Sequence, residues 1–144
     1  MNSKLIYLLA LISLWCFGSN SLASERLATA FYYGNQLPLK SLSLYSRVIV
    51  EPDNTTDAEL QYLKQKGVHV YAYISIGEVG PDRPWIKDID PAWILGINSG
   101  WKSSVMDMSQ SAWRSYLLKI MDKLWSRGYE GFFLDTLDSY LVSG

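Results

Sequence analysis

The stretch "GYEGFFLDTLDSY", residues 128–140, joins a predicted helix to a predicted strand that ends in an acid. Gly128 interrupts the helical pattern of residues 110–127, and residues 131–135 form a short apolar run that ends at Asp135. An ionised side chain at the end of a buried strand needs water or polar partners. The order of helix, glycine, strand and acid therefore predicts an α/β fold that presents Asp135 at the carboxyl end of a strand.

The alternation of strand and helix patterns continues towards the N-terminus. A helix is predicted at 57–66, and strands are predicted at 28–33, 47–51 and 68–76, with a weaker candidate at 103–108 after a loop-rich segment. This order predicts a parallel sheet with right-handed crossovers. An open doubly wound sheet and a (β/α)8 barrel both fit the order. Four or five strands complete a small open sheet, but they form only half of a barrel, which normally needs about 250 residues.

The first residues have the pattern of a secretory signal peptide. Lys4 precedes an apolar run at 5–17, and small residues follow it, which predicts cleavage after Ala23. The apolar run is short for a membrane span. We therefore expect a periplasmic or secreted protein with a cleaved segment at 1–23 and a single domain at 24–144.

Composition excludes several classes of function. Without Lys4, 12 of the 13 basic residues remain against 14 acidic ones, a net charge of −2, which predicts neither a nucleic-acid partner nor an anionic membrane partner. The single cysteine, Cys16, lies in the predicted signal peptide, and His69 is the only histidine. These counts argue against disulfides, thiolate catalysis and a zinc site, so no metal and no cofactor is predicted.

Polar residues follow most of the predicted strands, at the end where parallel α/β folds place their working side chains. Asp135 is the strongest candidate for a catalytic group, although it could instead accept hydrogen bonds from the turn that follows it. Asp138 could equally cap the next element. Two carboxylates without metal or thiol chemistry point to glycoside hydrolysis. The candidates are Tyr33, Glu51, Ser75, Glu78, Asp135 and Asp138.

Four motifs together resemble glycoside hydrolase family 114, the endo-α-1,4-polygalactosaminidase-like enzymes. They are "FYYG" at 31–34, "VIVEP" at 48–52, "AYISIGEVG" at 72–80 and the opening stretch at 128–140. The resemblance implies a (β/α)8 barrel and a galactosamine-rich polysaccharide substrate. It also implies that Asp135 is the catalytic aspartate, with substrate-binding or supporting roles for Tyr33, Glu51, Ser75, Glu78 and Asp138.

One feature of the family is not matched in this sequence. The resemblance implies a second catalytic acid, a glutamate from a later strand, but residues 139–144 contain no acid. We therefore expect the N-terminal half of a barrel, about four βα units, from a truncated and inactive form of an exported endo-glycosidase. A polysaccharide-binding module without catalysis and a fragment without function are the alternatives.

Overall fold

The computed structural model describes residues 27–141, which contain a four-stranded parallel sheet. In their order across the sheet the strands are β1 (Leu27–Tyr32), β2 (Tyr45–Val50), β3 (His69–Ser75) and β7 (Phe132–Asp135). The helices in the connections are α1 (Leu39–Leu42), α2 (Asp57–Gln65) and α3 (Ser111–Arg127). The predicted signal peptide and its cleavage point lie outside the described residues.

Side chains alternate between the two faces of this sheet, and the outer face, which packs against the helices, carries small and branched aliphatic side chains. The register pairs Val48 with Val70 and Val50 with Ala72, and all four side chains are fully buried. Helices α2 and α3 cover this face with buried side chains, namely Leu60, Leu63, Trp113, Leu117 and Leu124. Each fully buried large apolar side chain contributes about 1.5–3 kcal/mol to folding. The hydrophobic core therefore lies between the sheet and its helices.

The ends of the two longer helices follow from local sequence. Thr56 and Glu59 form a capping box at the start of α2, in which the Thr56 hydroxyl accepts from the Glu59 N–H and the Glu59 carboxylate accepts from the Thr56 N–H. Gly128 ends α3 in the left-handed conformation, with φ at 106°. Both predicted helices are therefore confirmed to within a residue at each end.

A second, smaller sheet lies between β3 and α3 in the chain. It is antiparallel, and its strands in order are β4 (Glu78–Val79), β6 (Ser103–Met106) and β5 (Ile94–Asn98). The weaker strand predicted at 103–108 is confirmed as β6, but it belongs to this antiparallel sheet and not to the parallel one. Strand β5 lies in the segment that was predicted to be loop. Its pattern was misleading because Leu95 and Ile97 are exposed and the register shifts between Ile94 and Gly96.

The parallel sheet is strongly curved, with its inner face concave. Four flat strands would hold β1 and β7 about 14 Å apart, since neighbouring strands are separated by about 4.8 Å. The rings of Phe31 on β1 and Phe133 on β7 nevertheless meet with their centroids 5.1 Å apart. This curvature matches the wall of a barrel, so the structure favours a partial (β/α)8 barrel over an open sheet. Within residues 27–141, none of the helices is both long and apolar enough to cross a membrane.

Candidate active site

Asp135 is the last residue of β7 and pairs in register with Ser75, the last residue of β3. Its half-buried carboxylate accepts two hydrogen bonds. The Tyr73 hydroxyl donates to Oδ2 at 2.8 Å, and the backbone N–H of Thr136 donates to Oδ1 at 2.8 Å. The carboxylate therefore lies at the carboxyl end of the parallel sheet, with both oxygens oriented by donors.

Four rings line the concave face next to Asp135, and we call them the aromatic wall: Phe31, Tyr33, Tyr73 and Phe133. The ring centroids of Tyr33 and Tyr73 are 4.7 Å apart, and those of Tyr73 and Phe133 are 6.3 Å apart and nearly parallel. Phe31 is 53% exposed and Tyr33 is 44% exposed. Phe31 and Phe133 lie within their strands, on the face that the remaining strands of a closed barrel would cover. Tyr33 follows β1 and packs against Tyr73, so these two rings are the members of the wall placed near the carboxyl end of the sheet.

The two tyrosines of the aromatic wall have perturbed hydroxyl groups. Burial raises the pKa of Tyr73, and the hydrogen bond to Asp135 and the charge of that carboxylate raise it further. Burial also raises the pKa of Tyr33, together with the negative charges of Asp135 and Glu51. Both phenols therefore remain protonated at neutral pH, and the Tyr73 hydroxyl keeps its proton for the hydrogen bond to Asp135.

Glu51 follows β2 and is held by an arginine from the loop after β4. Arg83 donates from Nη1 to Oε1 at 2.7 Å and from Nη2 to Oε2 at 2.9 Å, and it also donates to Asp53 at 2.9 Å. Burial lowers the pKa of Arg83, but the hydrogen bonds and charges of Glu51 and Asp53 outweigh burial and leave the pKa raised. Because Arg83 engages both oxygens of Glu51, this carboxylate is a fixed acceptor.

Ser75 and Glu78 connect β3 to the segment after β7. The Ser75 hydroxyl donates to the Glu78 carbonyl at 2.7 Å and lies 2.8 Å from the Thr136 hydroxyl. The Glu78 carboxylate is 8% exposed and accepts hydrogen bonds from Asn98 at 3.0 Å, from Ser139 at 2.6 Å and from Ser103. Glu78 therefore links the small sheet to the chain that follows Asp135, and it is not open to a ligand.

We expect Glu78→Gln to lower the free energy of unfolding by about 2 kcal/mol at neutral pH, because the three donors then face a neutral amide. Burial raises the pKa of Glu78, but its hydrogen bonds outweigh burial and hold the pKa below the ordinary value of 4.5. The stabilisation by Glu78 is therefore complete above about pH 4.5 and is lost as pH falls through the lower folded pKa. Urea unfolding as a function of pH measures both effects.

Glu130→Gln is the matched control for this prediction. Glu130 is an exposed acid that pairs with His69 at 2.6 Å on the surface, so its removal costs at most about 1 kcal/mol. Equal losses in the two variants would show that the contacts of Glu78 contribute no more than a surface pair.

A separate groove of about 290 Å³ lies between α3 and the loop after β4. Trp85 and Tyr116 form one wall, with ring centroids 5.9 Å apart. Lys119 and Lys123 line it on the helix side, and Tyr73 borders it on the side of the sheet. The groove therefore shares Tyr73 with the aromatic wall and is otherwise lined by residues outside the wall.

Asp138 is exposed in the turn after β7, and its carbonyl accepts from the Leu141 N–H at 2.9 Å. Three residues that contact the predicted site were missed in the sequence: Tyr73, Arg83 and Thr136. Tyr73 shares a face of β3 with Ser75, so the alternation of the strand was a usable signal. For Arg83 and Thr136 the sequence carried no such signal. Among residues 27–141, no three His, Asp or Glu side chains are grouped as metal ligands.

A curved parallel sheet with a carboxylate at the carboxyl end of a strand is the arrangement of the (β/α)8 barrel class, in which the strand ends carry the functional side chains. The chain belongs to glycoside-hydrolase family GH114, whose family model matches residues 25–144. This match confirms the resemblance found in the sequence motifs.

Two solved structures and one further protein sequence are similar to this chain. The glycoside hydrolase domain of PelA from Pseudomonas aeruginosa is 38% identical, with a TM-score of 0.72 over 81% of this chain and 47% of that chain. Aspergillus fumigatus Ega3, solved in complex with galactosamine, has a TM-score of 0.66 at 17% identity, over 80% of this chain and 45% of that chain. The uncharacterized protein MJ1477 from Methanocaldococcus jannaschii is 28% identical over 102 residues, which are 67% of this chain and 29% of that protein. The chain thus spans about half the length of these solved relatives.

Proposed function

We propose that this chain supplies the first half of the active site of an endo-glycosidase that hydrolyses galactosamine-containing polysaccharide, with Asp135 as one of its two carboxylates. The observation that carries the proposal is the placement of Asp135 at the end of β7, bonded to Tyr73 of the aromatic wall. Membership of GH114 and the 38% identity to the PelA hydrolase domain support the reaction. The galactosamine bound in the Ega3 structure supports the sugar.

Glycoside hydrolysis needs one carboxyl group to protonate the leaving oxygen and a second carboxylate to act as nucleophile or to activate water. Both partners of Asp135 donate hydrogen bonds to it, so in this arrangement Asp135 is an acceptor. An acceptor suits the nucleophile, the base or a group that stabilises positive charge, and it does not suit the acid. We assign Asp135 the carboxylate role and leave protonation of the leaving group to the second acid.

The second acid is proposed to come from a later strand of the same barrel. Glu51 is another strand-end acid among the described residues, but Arg83 engages both of its oxygens. The relatives of known structure are about twice as long as this chain, which leaves room for further strands. A longer product of the same reading frame would then carry the complete pair.

The substrate is proposed to lie along the aromatic wall. Sugar rings present apolar C–H faces that pack on aromatic rings, and Tyr33, which follows β1 and packs against Tyr73, offers such a ring at the carboxyl end of the sheet. The amino group of galactosamine is a cation, and at this end of the sheet the three carboxylates of Asp135, Glu51 and Asp53 outnumber the one guanidinium of Arg83. The predicted signal peptide at 1–23 fits an enzyme that meets polysaccharide outside the cytoplasm. Export of the protein is part of what we propose.

The deciding experiment tests one protein on two polymers. The product of the full reading frame that contains codons 1–144 is incubated with a galactosamine-rich polymer and with a glucosamine polymer, and new reducing ends are measured. We expect release from the galactosamine polymer only. No release from either polymer would contradict the hydrolase.

Affinity electrophoresis of residues 24–144 in a gel that contains the galactosamine polymer tests the second candidate, a binding module. The exposed ring of Tyr33 at the carboxyl end of the sheet favours this candidate, because binding does not need a second acid. Retardation without any cleavage by the full product would favour binding over hydrolysis. Retardation together with cleavage is the result expected for the enzyme.

A further inference from the structure

Thr136, the residue after Asp135, has a backbone conformation that threonine rarely adopts. Its φ is 61°, in the left-handed region, where a β-branched side chain is an outlier. Such an outlier persists only where the surrounding structure holds it, and it is most often found at functional sites. The residues around Thr136 must therefore supply contacts that hold it in this conformation.

The Thr136 hydroxyl has three polar contacts that hold this conformation, and its single proton serves either the Ser75 hydroxyl or the Asp135 carbonyl. The hydroxyl accepts from the Gly77 N–H at 2.9 Å, lies 2.8 Å from the Ser75 hydroxyl and lies 2.6 Å from the carbonyl of Asp135. Ser75 uses its own proton on the Glu78 carbonyl at 2.7 Å. The Thr136 hydroxyl is thus the point at which the turn after β3 and the segment after β7 are joined.

The backbones of these two segments are also in close contact. A Cβ atom added at Gly77 would lie 2.0 Å from the Thr136 carbonyl oxygen, closer than any real Cβ contact. The Ile76 N–H donates to the Asp135 carbonyl at 3.0 Å, directly beside this point. The Ile76 N–H and the Thr136 hydroxyl therefore hold the peptide unit between Asp135 and Thr136, and the close approach of Gly77 constrains the peptide unit that follows it.

This peptide unit carries one of the two donors that orient the Asp135 carboxylate. The Thr136 N–H donates to Oδ1 of Asp135 at 2.8 Å, and it lies in the same peptide plane as the Asp135 carbonyl, which the Ile76 N–H and the Thr136 hydroxyl contact. We propose that Thr136 is a positioning residue: through its hydroxyl bonds to Ser75 and Gly77, it holds the backbone that aims the Asp135 carboxylate at Tyr73 and the aromatic wall. This inference rests on the proposed catalytic role of Asp135.

A variant series separates positioning from simple stabilisation. Thr136→Val keeps the shape and removes the hydroxyl, Thr136→Ser keeps the hydroxyl, and Ser75→Ala removes a hydroxyl partner at a residue with ordinary backbone. Thr29→Val on β1 is the matched control, since Thr29 lies outside these contacts. All variants are made in the full product of the reading frame, and rates are expressed per folded molecule.

The first readout is hydrolysis of the galactosamine-rich polymer. We expect Thr136→Val to lower kcat by roughly 10- to 100-fold with KM changed less than about 2-fold, because a shift near 1 Å at a reacting group has effects of this size. Ser75→Ala should lower kcat in the same direction, while Thr136→Ser and Thr29→Val should stay within about 3-fold of the starting enzyme. A loss of stability in Thr136→Val with unchanged kcat would overturn the positioning role.

The second readout does not depend on catalysis. The Cζ signal of ¹³C-labelled Tyr73 at neutral pH, assigned with Tyr73→Phe, reports the hydrogen bond from Tyr73 to Asp135. We expect Thr136→Val and Ser75→Ala to shift this signal towards its position in Asp135→Asn, and Thr136→Ser to leave it in place. If the starting protein hydrolyses nothing, the proposed function fails, and the Tyr73 signal still decides the positioning role. An unmoved signal in both hydroxyl deletions would contradict it.

Discussion

Asp135→Asn is expected to lower kcat on galactosamine-rich polymer by roughly 10³-fold or more in the full product of the reading frame. Asparagine has the same shape and can keep one acceptor towards the Tyr73 hydroxyl, but it lacks the negative charge that a nucleophile, a base or a charge-stabilising group needs. The free energy of unfolding should change far less than the rate. Reducing-end release and urea unfolding of the same samples measure the two effects.

Asp122→Asn is the matched control for this prediction. Asp122 is exposed on α3, away from the concave face, and the same change of charge there should leave the rate within about 2-fold. Full activity in Asp135→Asn would show that another carboxylate performs the chemistry. An equal loss in both variants would show that the overall charge, and not this site, determines the rate.

Gly77→Ala is expected to lower the free energy of unfolding by about 2–4 kcal/mol and to remove most of the activity that remains per folded molecule. The added Cβ would meet the Thr136 carbonyl oxygen at 2.0 Å, so the turn after β3 and the segment after β7 must separate. That separation weakens two hydrogen bonds of Gly77, one from its N–H to Thr136 and one to its carbonyl from the Met106 N–H. Thermal or urea unfolding combined with the rate assay checks both parts.

Gly80→Ala controls for the change of residue type. A Cβ at Gly80 meets nothing within 4 Å, so the same substitution three residues later should be neutral or slightly stabilising. If Gly77→Ala were as stable and active as Gly80→Ala, the close contact between the two segments would be absent in solution.

Much of the parallel sheet could be predicted from the sequence because its strands carry a strong local pattern. In β3, apolar residues alternate with Tyr71, Tyr73 and Ser75, and β2 ends in three consecutive apolar residues. The glycines that end the helices also mark boundaries, since Gly67 and Gly128 both adopt positive φ. Such signals act over a few residues, which is why the observed strands lie close to the predicted ranges.

The contacts that orient the candidate site could not be predicted in the same way. Arg83 reaches Glu51 across 32 positions of sequence, and the Thr136 hydroxyl meets Ser75 across 61 positions. These pairs form only once the strands are in register, and no sequence pattern predicts which partner Arg83 or Thr136 contacts. The strand ends indicated where the site lies, but which donors hold each carboxylate depends on the tertiary fold.

Glu78 shows a related limit of sequence interpretation. Its place just after β3 made it a candidate for binding substrate, and the structure buries its carboxylate among Ser103, Ser139 and Asn98. Burial depends on the small antiparallel sheet, whose strand β5 carries exposed apolar residues and so lacked a recognisable pattern. We now propose that Glu78 supports the segment after Asp135 and does not contact sugar.

The most direct measurement is a crystal structure of the full reading-frame product carrying Asp135→Asn, bound to a galactosamine oligosaccharide. We expect a sugar ring against Tyr33 and Tyr73 of the aromatic wall, with a glycosidic bond within hydrogen-bond reach of residue 135. A second carboxyl group should lie on the opposite side of that bond. An oligosaccharide bound only in the groove between Trp85 and Tyr116, away from residue 135, would contradict this prediction.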